Sequence, residues 1–140
     1  MVNITIVGNN HNVSALLDNN KYNIIKHSGA NALLYNKYKF GSEIIIWDCD
    51  QTLLERFHHK IPDWVAIICI VSPDCDTSHC CHYIITEDRL TKETMEDTIQ
   101  KAKLHYAVYR VLYSDVFLSY NKIIEITNAQ LDLAMRDCEK

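Results

Sequence analysis

The sequence predicts one α/β domain, a parallel sheet flanked by helices, followed by a C-terminal helical extension. Three observations carry that expectation. Short β-branched runs alternate with helix-like segments through the first hundred or so residues. Two of those runs, 43–47 beyond its leading Glu43 and 64–71, are continuously apolar, as strands buried on both faces of a parallel sheet are. From Thr91 to Lys140 there is neither Gly nor Pro, and apolar or aromatic residues recur at steps of three or four. A chain of 140 residues suffices for one such domain with a buried core.

The elements come in the following order. Residues 2–7 form a first strand that ends in the turn cluster Gly8-Asn9-Asn10. Asn12 is placed to cap a helix with Val13, Leu16 and Leu17 on one face, closed by Asn19 and Asn20. Residues 22–26 make a second strand, Ser28-Gly29 a turn and 30–35 a short helix. The third strand, 43–47, leads to Asp50, which caps a helix over 51–58 carrying Leu53, Leu54 and Phe57. Pro62 and Pro73 bracket the fourth strand, 64–71, and 83–86 reads as the fifth. Thr91 caps the last helical stretch, with Glu93, Glu96 and Asp97 near the helix N-terminus, where negative charge is favoured. That stretch is one long helix or two with a break near Ser114-Asp115; the competing assignment makes 108–113 a sixth strand, and the helical one is preferred. The division is therefore a domain over 1–104 and an extension over 105–140 that packs on the domain or on a partner.

Composition narrows the function classes. A formal charge of −4 with no basic stripe argues against nucleic acid, whose phosphates demand clustered Lys and Arg. The longest apolar run, 64–71, is far short of the roughly 20 residues that cross a bilayer, so no membrane partner is expected. Residues 1–7 lack the basic region of an export signal, which predicts a cytoplasmic protein whose six cysteines are thiols. No cofactor is expected.

Several local strings carry a family likeness. Ile4-Thr5-Ile6-Val7, then Tyr22-Asn23-Ile24-Ile25 with His27-Ser28-Gly29-Ala30-Asn31-Ala32-Leu33-Leu34, then Ile44-Ile45-Ile46-Trp47-Asp48, the run 67–72 ending in Ser72, and Tyr83-Ile84-Ile85-Thr86 stand in the order of a known domain. Over about the first 103 residues the chain resembles the receiver domain of two-component response regulators. The resemblance implies a flavodoxin-like sheet, with Asp48 where receivers carry the phosphorylated aspartate and Ser72 where they carry a hydroxyl residue. The departures imply something else about activity. Gly8 and Asn9 stand where receivers keep an acidic pair for Mg²⁺, a cation that wants anionic oxygen. Glu87 replaces the lysine that pairs with the phosphoryl group, and Asp88 the proline after it. A carboxylate repels a phosphoryl dianion. The implied protein is a pseudo-receiver, without phosphotransfer and without enzymatic activity.

A weaker likeness is to small GTPases, through Trp47-Asp48 followed by Glu55-Arg56-Phe57. Their phosphate loop reads G-x-x-x-x-G-K-S/T, and residues 8–14 have neither the second glycine nor the lysine. This alternative, a pseudo-GTPase scaffold, would need the sixth strand at 108–113. A further alternative is an unusual phosphorylated receiver that uses Asp48.

The candidate residues admit functional and plainer readings. Asp48 and Asp50 are a remnant phosphoacceptor region with Gly8, Asn9, Ser72 and Glu87, or, more simply, a polar strand end in which Asp50 caps the next helix. Cys75, His79, Cys80, Cys81 and His82 are the densest group of soft ligands. A zinc site at Cys75, His79, Cys80 and His82 comes from one short segment without the second, separated knuckle that tetrahedral zinc sites typically have, although His58 and His59 could contribute in space, so packed thiols are preferred. Cys49 with His58 or His59 has no feature of an activated nucleophile. His27 and His105 read as surface or turn residues. Tyr106, Tyr109, Tyr113, Val116, Tyr120, Ile123 and Leu131 form a stripe suited to core packing or to a protein interface, with homodimerisation through the C-terminal helix as one form of it. The expected function is a phosphorylation-independent, receiver-like interaction protein.

Overall fold

The computed structural model describes residues 2–27, 42–74 and 80–114, with scattered positions between 119 and 133. The helix expected over 30–35 lies outside them. Five strands form one all-parallel sheet: β1 (Val2–Val7), β2 (Tyr22–His27), β3 (Ile44–Trp47), β4 (Ala66–Val71) and β5 (Tyr83–Thr86). Their spatial order is β2-β1-β3-β4-β5.

Register and the two-residue side-chain period then decide what is buried where. Ile4 lies beside Ile24 and Ile44, while Val7, Trp47 and Cys69 line up across three strands. Ile4, Ile6, Ile44, Ile46, Ile68 and Ile70 consequently share one core with Met95, Ile99 and Ala102 of helix α2 (Lys92–Leu112) and with Val13 and Leu17 of the connection after β1. Val7, Ile45, Trp47, Ile67, Cys69 and Val71 share the other with Leu54 of helix α1 (Gln51–Phe57) and with Ile61, Trp64 and Val65. Every residue of β3 and β4 is buried, which explains why these strands are apolar without alternation. Each large aliphatic side chain so buried contributes about 1.5–3 kcal/mol. Thr5, the polar residue inside β1, is satisfied by a hydroxyl–hydroxyl hydrogen bond with Ser42.

The structure departs from expectation at two places. Residues Val13–Leu16 make a 3₁₀ turn, not an α-helix, and the Asn12 side chain caps nothing; it accepts instead from the Ser14 hydroxyl at 3.2 Å. Trp64 and Val65 precede β4 in a turn closed by the Val65 N–H on the Pro62 carbonyl, and are buried there. Val108 to Leu112 are helical, as the preferred assignment has them, and the competing sixth strand does not form there. A capping box nucleates α2 and no Gly or Pro interrupts it, so it runs unbroken through 104–105. The helix ends at Tyr113, with φ −110°, close to the break expected near Ser114-Asp115. Among the described residues no helix is long and apolar enough to cross a membrane.

Candidate functional site

In an open parallel sheet, the crevice for ligands lies at the carboxyl ends of two neighbouring strands whose connections depart to opposite sides. Here β1 and β3 are that pair: the chain leaves β1 toward β2 on one side and β3 toward β4 on the other. Residues 8–12 and 48–50 meet at this crevice.

Gly8 turns the chain over the end of β3. Its φ is +94°, and a Cβ there would overlap the Asp48 carbonyl and the Cys49 side chain, so only glycine fits. The Gly8 N–H donates to the His27 carbonyl (2.8 Å), tying the loop to β2 as well. Beyond the turn, the Asn10 N–H donates to the Asp48 carbonyl (3.3 Å) and the His11 N–H to Asp48 Oδ2 (2.7 Å). His11 Nδ1 lies 2.7 Å from Asp48 Oδ1. Asp48 itself donates its N–H to the Val7 carbonyl (2.7 Å) and is only 1% exposed. On the outer side, His11 Nε2 lies 3.2 Å from Glu87 Oε1, just past β5.

Two carboxylates can both receive hydrogen bonds from one imidazole only when both ring nitrogens carry protons. The geometry thus favours the imidazolium. The hydrogen bond to Asp48 does most to raise the His11 pKa above its ordinary value; burial opposes it, and the charges of Asp48 and Glu87 add to the rise. Asp48 is an internal counter-ion with both oxygens occupied, not an open acid.

Of the residues singled out on the sequence, the fold brings Gly8, Asn9, Asp48 and Glu87 to this one edge. Asp50 is separate: its Oδ1 accepts from the Thr52 N–H (2.9 Å) and caps α1, and that backbone bond holds its carboxyl below the usual range. Ser72 follows β4 and is exposed. Burial, then the charges of Asp48 and Asp50, push the Cys49 thiol up to about 11, so it is protonated and a poor nucleophile. His11 is the residue that sequence reasoning missed. The available signal was positional: a histidine just after strand one faces an aspartate just after strand three whenever those strands are neighbours. Beside the loop opens a cleft of about 290 Å³ lined by Asn9, His11, Asn12, Ser14 and Lys26.

The other candidates fall elsewhere. Cys75 and His79 lie outside the described residues. His82 Nδ1 accepts the Ile67 N–H (2.9 Å), so its lone pair is used in joining β4 to the start of β5. Partial burial, then the neighbouring His105, pull its pKa down to about 4. His105 is no plain surface residue: it stacks on Tyr109 with centroids 4.3 Å apart and reaches the Asp63 carbonyl through Nε2 (3.1 Å). Among the described residues no group of three or more His, Cys, Asp or Glu is arranged to hold a metal ion. Of the helical stripe, Tyr106 is half-buried on the core, with Arg110 over its ring, while Tyr109 and Tyr113 are exposed and stacked. Val116, Tyr120, Ile123 and Leu131 lie outside the described residues. Tyr106, Arg110 and Val111 line a groove of about 390 Å³ with Val2, Glu43 and Lys103 at the opposite, amino-terminal end of the sheet.

Compared with known proteins, the chain matches no family model, and no curated protein matches it.

Proposed function

We propose that this chain is a non-catalytic, phosphorylation-independent, receiver-like protein of a signalling or regulatory system, acting in the cytoplasm through protein–protein contact. The strand order supports the flavodoxin-like part of this reading, because β2-β1-β3-β4-β5 is one of the two common doubly wound orders.

The observation that carries the functional part is the pairing of His11 with Asp48. A phosphoacceptor aspartate needs one oxygen free to attack phosphorus and a second to share with Mg²⁺. Both Asp48 oxygens are taken by His11, one by its amide and one by its ring. Gly8 and Asn9 bring no anion for the metal, and Glu87 adds negative charge where a phosphoryl group would sit. With its pKa raised by Asp48, the His11 imidazolium supplies positive charge of the kind that metal and lysine supply in an active receiver. The exposed apolar residues of α2 support the interaction part.

The test is to incubate the full chain with Mg²⁺ and acetyl phosphate and to follow its intact mass. The mass is expected to stay unchanged. A Mg²⁺-dependent phosphoryl adduct that disappears in Asp48→Asn would overturn the reading in favour of a phosphorylated receiver.

A further inference from the structure

The cleft beside the loop after β1 takes no part in the pairing of His11 with Asp48. The buried residues of its lining, Ile6 and Val13, are apolar. The polar ones stand toward solvent: Asn9, Asn12 and Lys26 are exposed, and Ser14 is half-buried. Register brings Lys26 to this place. It is the neighbour of Ile6 across β1 and β2, so the two side chains leave the same face of the sheet. Lys26 is also one residue from the carboxyl end of β2, and small molecules bind open parallel sheets just outside the carboxyl ends of their strands.

Charge decides what such a cleft would hold. Among the described residues no Asp or Glu lines it. The positive charge of His11 is already matched by Asp48 and Glu87, which face its two ring nitrogens. Lys26 differs, because among the described residues no carboxylate is within ion-pair distance of it. Its ammonium is therefore the charge left for a ligand, and Glu87 beyond His11 disfavours a second negative charge nearby. A singly charged anion is thus selected over a phosphoryl dianion. Hydrogen bonding points the same way. The Ser14 hydroxyl donates to Asn12 Oδ1 (3.2 Å), which leaves the Asn12 NH₂ group as a donor. An ammonium and an amide donor on one cleft suit the two oxygens of a carboxylate. Size sets the rest: 290 Å³ is at the lower edge of the volumes of small-molecule sites, about 300–1,000 Å³.

We propose that this cleft binds a small aliphatic monocarboxylate, with its carboxylate held by Lys26 and Asn12 and its hydrocarbon over Ile6 and Val13. The groups that hold the ligand belong to β1, β2 and the loop between them, so the proposal does not require the receiver-like reading of Asp48.

The experiment follows the backbone amides of the full chain by nuclear magnetic resonance at neutral pH. Butyrate, acetate and inorganic phosphate are added in turn, with ionic strength held constant by sodium chloride. Butyrate is expected to give saturable shifts centred on residues 8–14 and 26–27. Acetate is expected to bind more weakly, because its methyl group covers less of Ile6 and Val13. Lys26→Gln is expected to weaken butyrate binding about tenfold, the effect of losing one charge-assisted hydrogen bond, and Lys26→Arg to retain it. Lys26 is exposed, so neither variant disturbs the core. No saturable shift with butyrate, tighter binding of phosphate, equal binding of acetate, or unchanged binding by Lys26→Gln would each overturn the proposal. Acetyl phosphate tests Asp48 and butyrate tests Lys26, so either reading can fail alone.

Discussion

At the scale of single residues, His11 is the group on which the carboxyl edge turns. Its amide and Nδ1 hold Asp48, and its Nε2 faces Glu87, so one side chain spans the ends of β3 and β5. The other charged or titratable groups around it are Lys26 across the cleft and Cys49 behind Asp48. Because its folded pKa lies above the ordinary value of 6.5, the folded state binds the proton more tightly than the unfolded chain does. Its contribution to stability is therefore complete below pH 6.5 and is lost as pH rises through the raised folded value. The ring is partly exposed, so screening keeps the effect modest. Comparing His11→Gln with the wild type by urea unfolding, the gap in stability should be larger at mildly acid pH than at alkaline pH. A gap that does not change with pH would mean that the neutral ring accounts for the whole contribution.

At the scale of elements, the same physics explains both what could be read from the sequence and what could not. β3 and β4 were legible because four and six successive residues are buried, and a run that is apolar throughout has few other uses in a small domain. α2 was legible through its cap: the Thr91 hydroxyl accepts from the Thr94 N–H (3.1 Å), and the Thr94 hydroxyl accepts from the Thr91 N–H (3.0 Å). Thr91→Ala should therefore cost about 1 kcal/mol, read as a lower urea midpoint with an unchanged slope. No loss of stability would show that the first turn is held by its packing alone. The connection after β1 misled because Val13 and Leu17 are buried as a helix would bury them, although only four residues turn. Asp50 as a cap was legible from its place before Gln51. The site around Asp48 was only half legible: Gly8, Asn9, Asp48 and Glu87 each sit next to a strand end, but that His11 locks Asp48 is fixed by which strands are neighbours, and spacing along one chain does not carry that.

At the scale of the whole molecule, the helix is longer than the sheet that it covers. At about 1.5 Å per residue the 21 residues of α2 run for roughly 31 Å. The six residues of β4 rise only about 20 Å. Met95, Ile99 and Ala102 are buried over the strands, yet apolar residues continue past the end of the support. Val111 is 72% exposed and Leu112 69% exposed. A helix end that displays such residues to water gains by covering them, and a second copy of the same helix offers a matching surface. Self-association through this end is therefore expected. Replacing Val111 and Leu112 together by serine should turn a dimer into a monomer, measured as mass by light scattering across a concentration series. Because both side chains are exposed, the monomer should keep its stability to within about 0.5 kcal/mol per substitution. If the wild type is a monomer at every concentration, then self-association is wrong, and this end of α2 is left for a different protein. If the variant remains a dimer, the contact lies on another face, and the stacked rings of His105, Tyr109 and Tyr113 are the next surface to change.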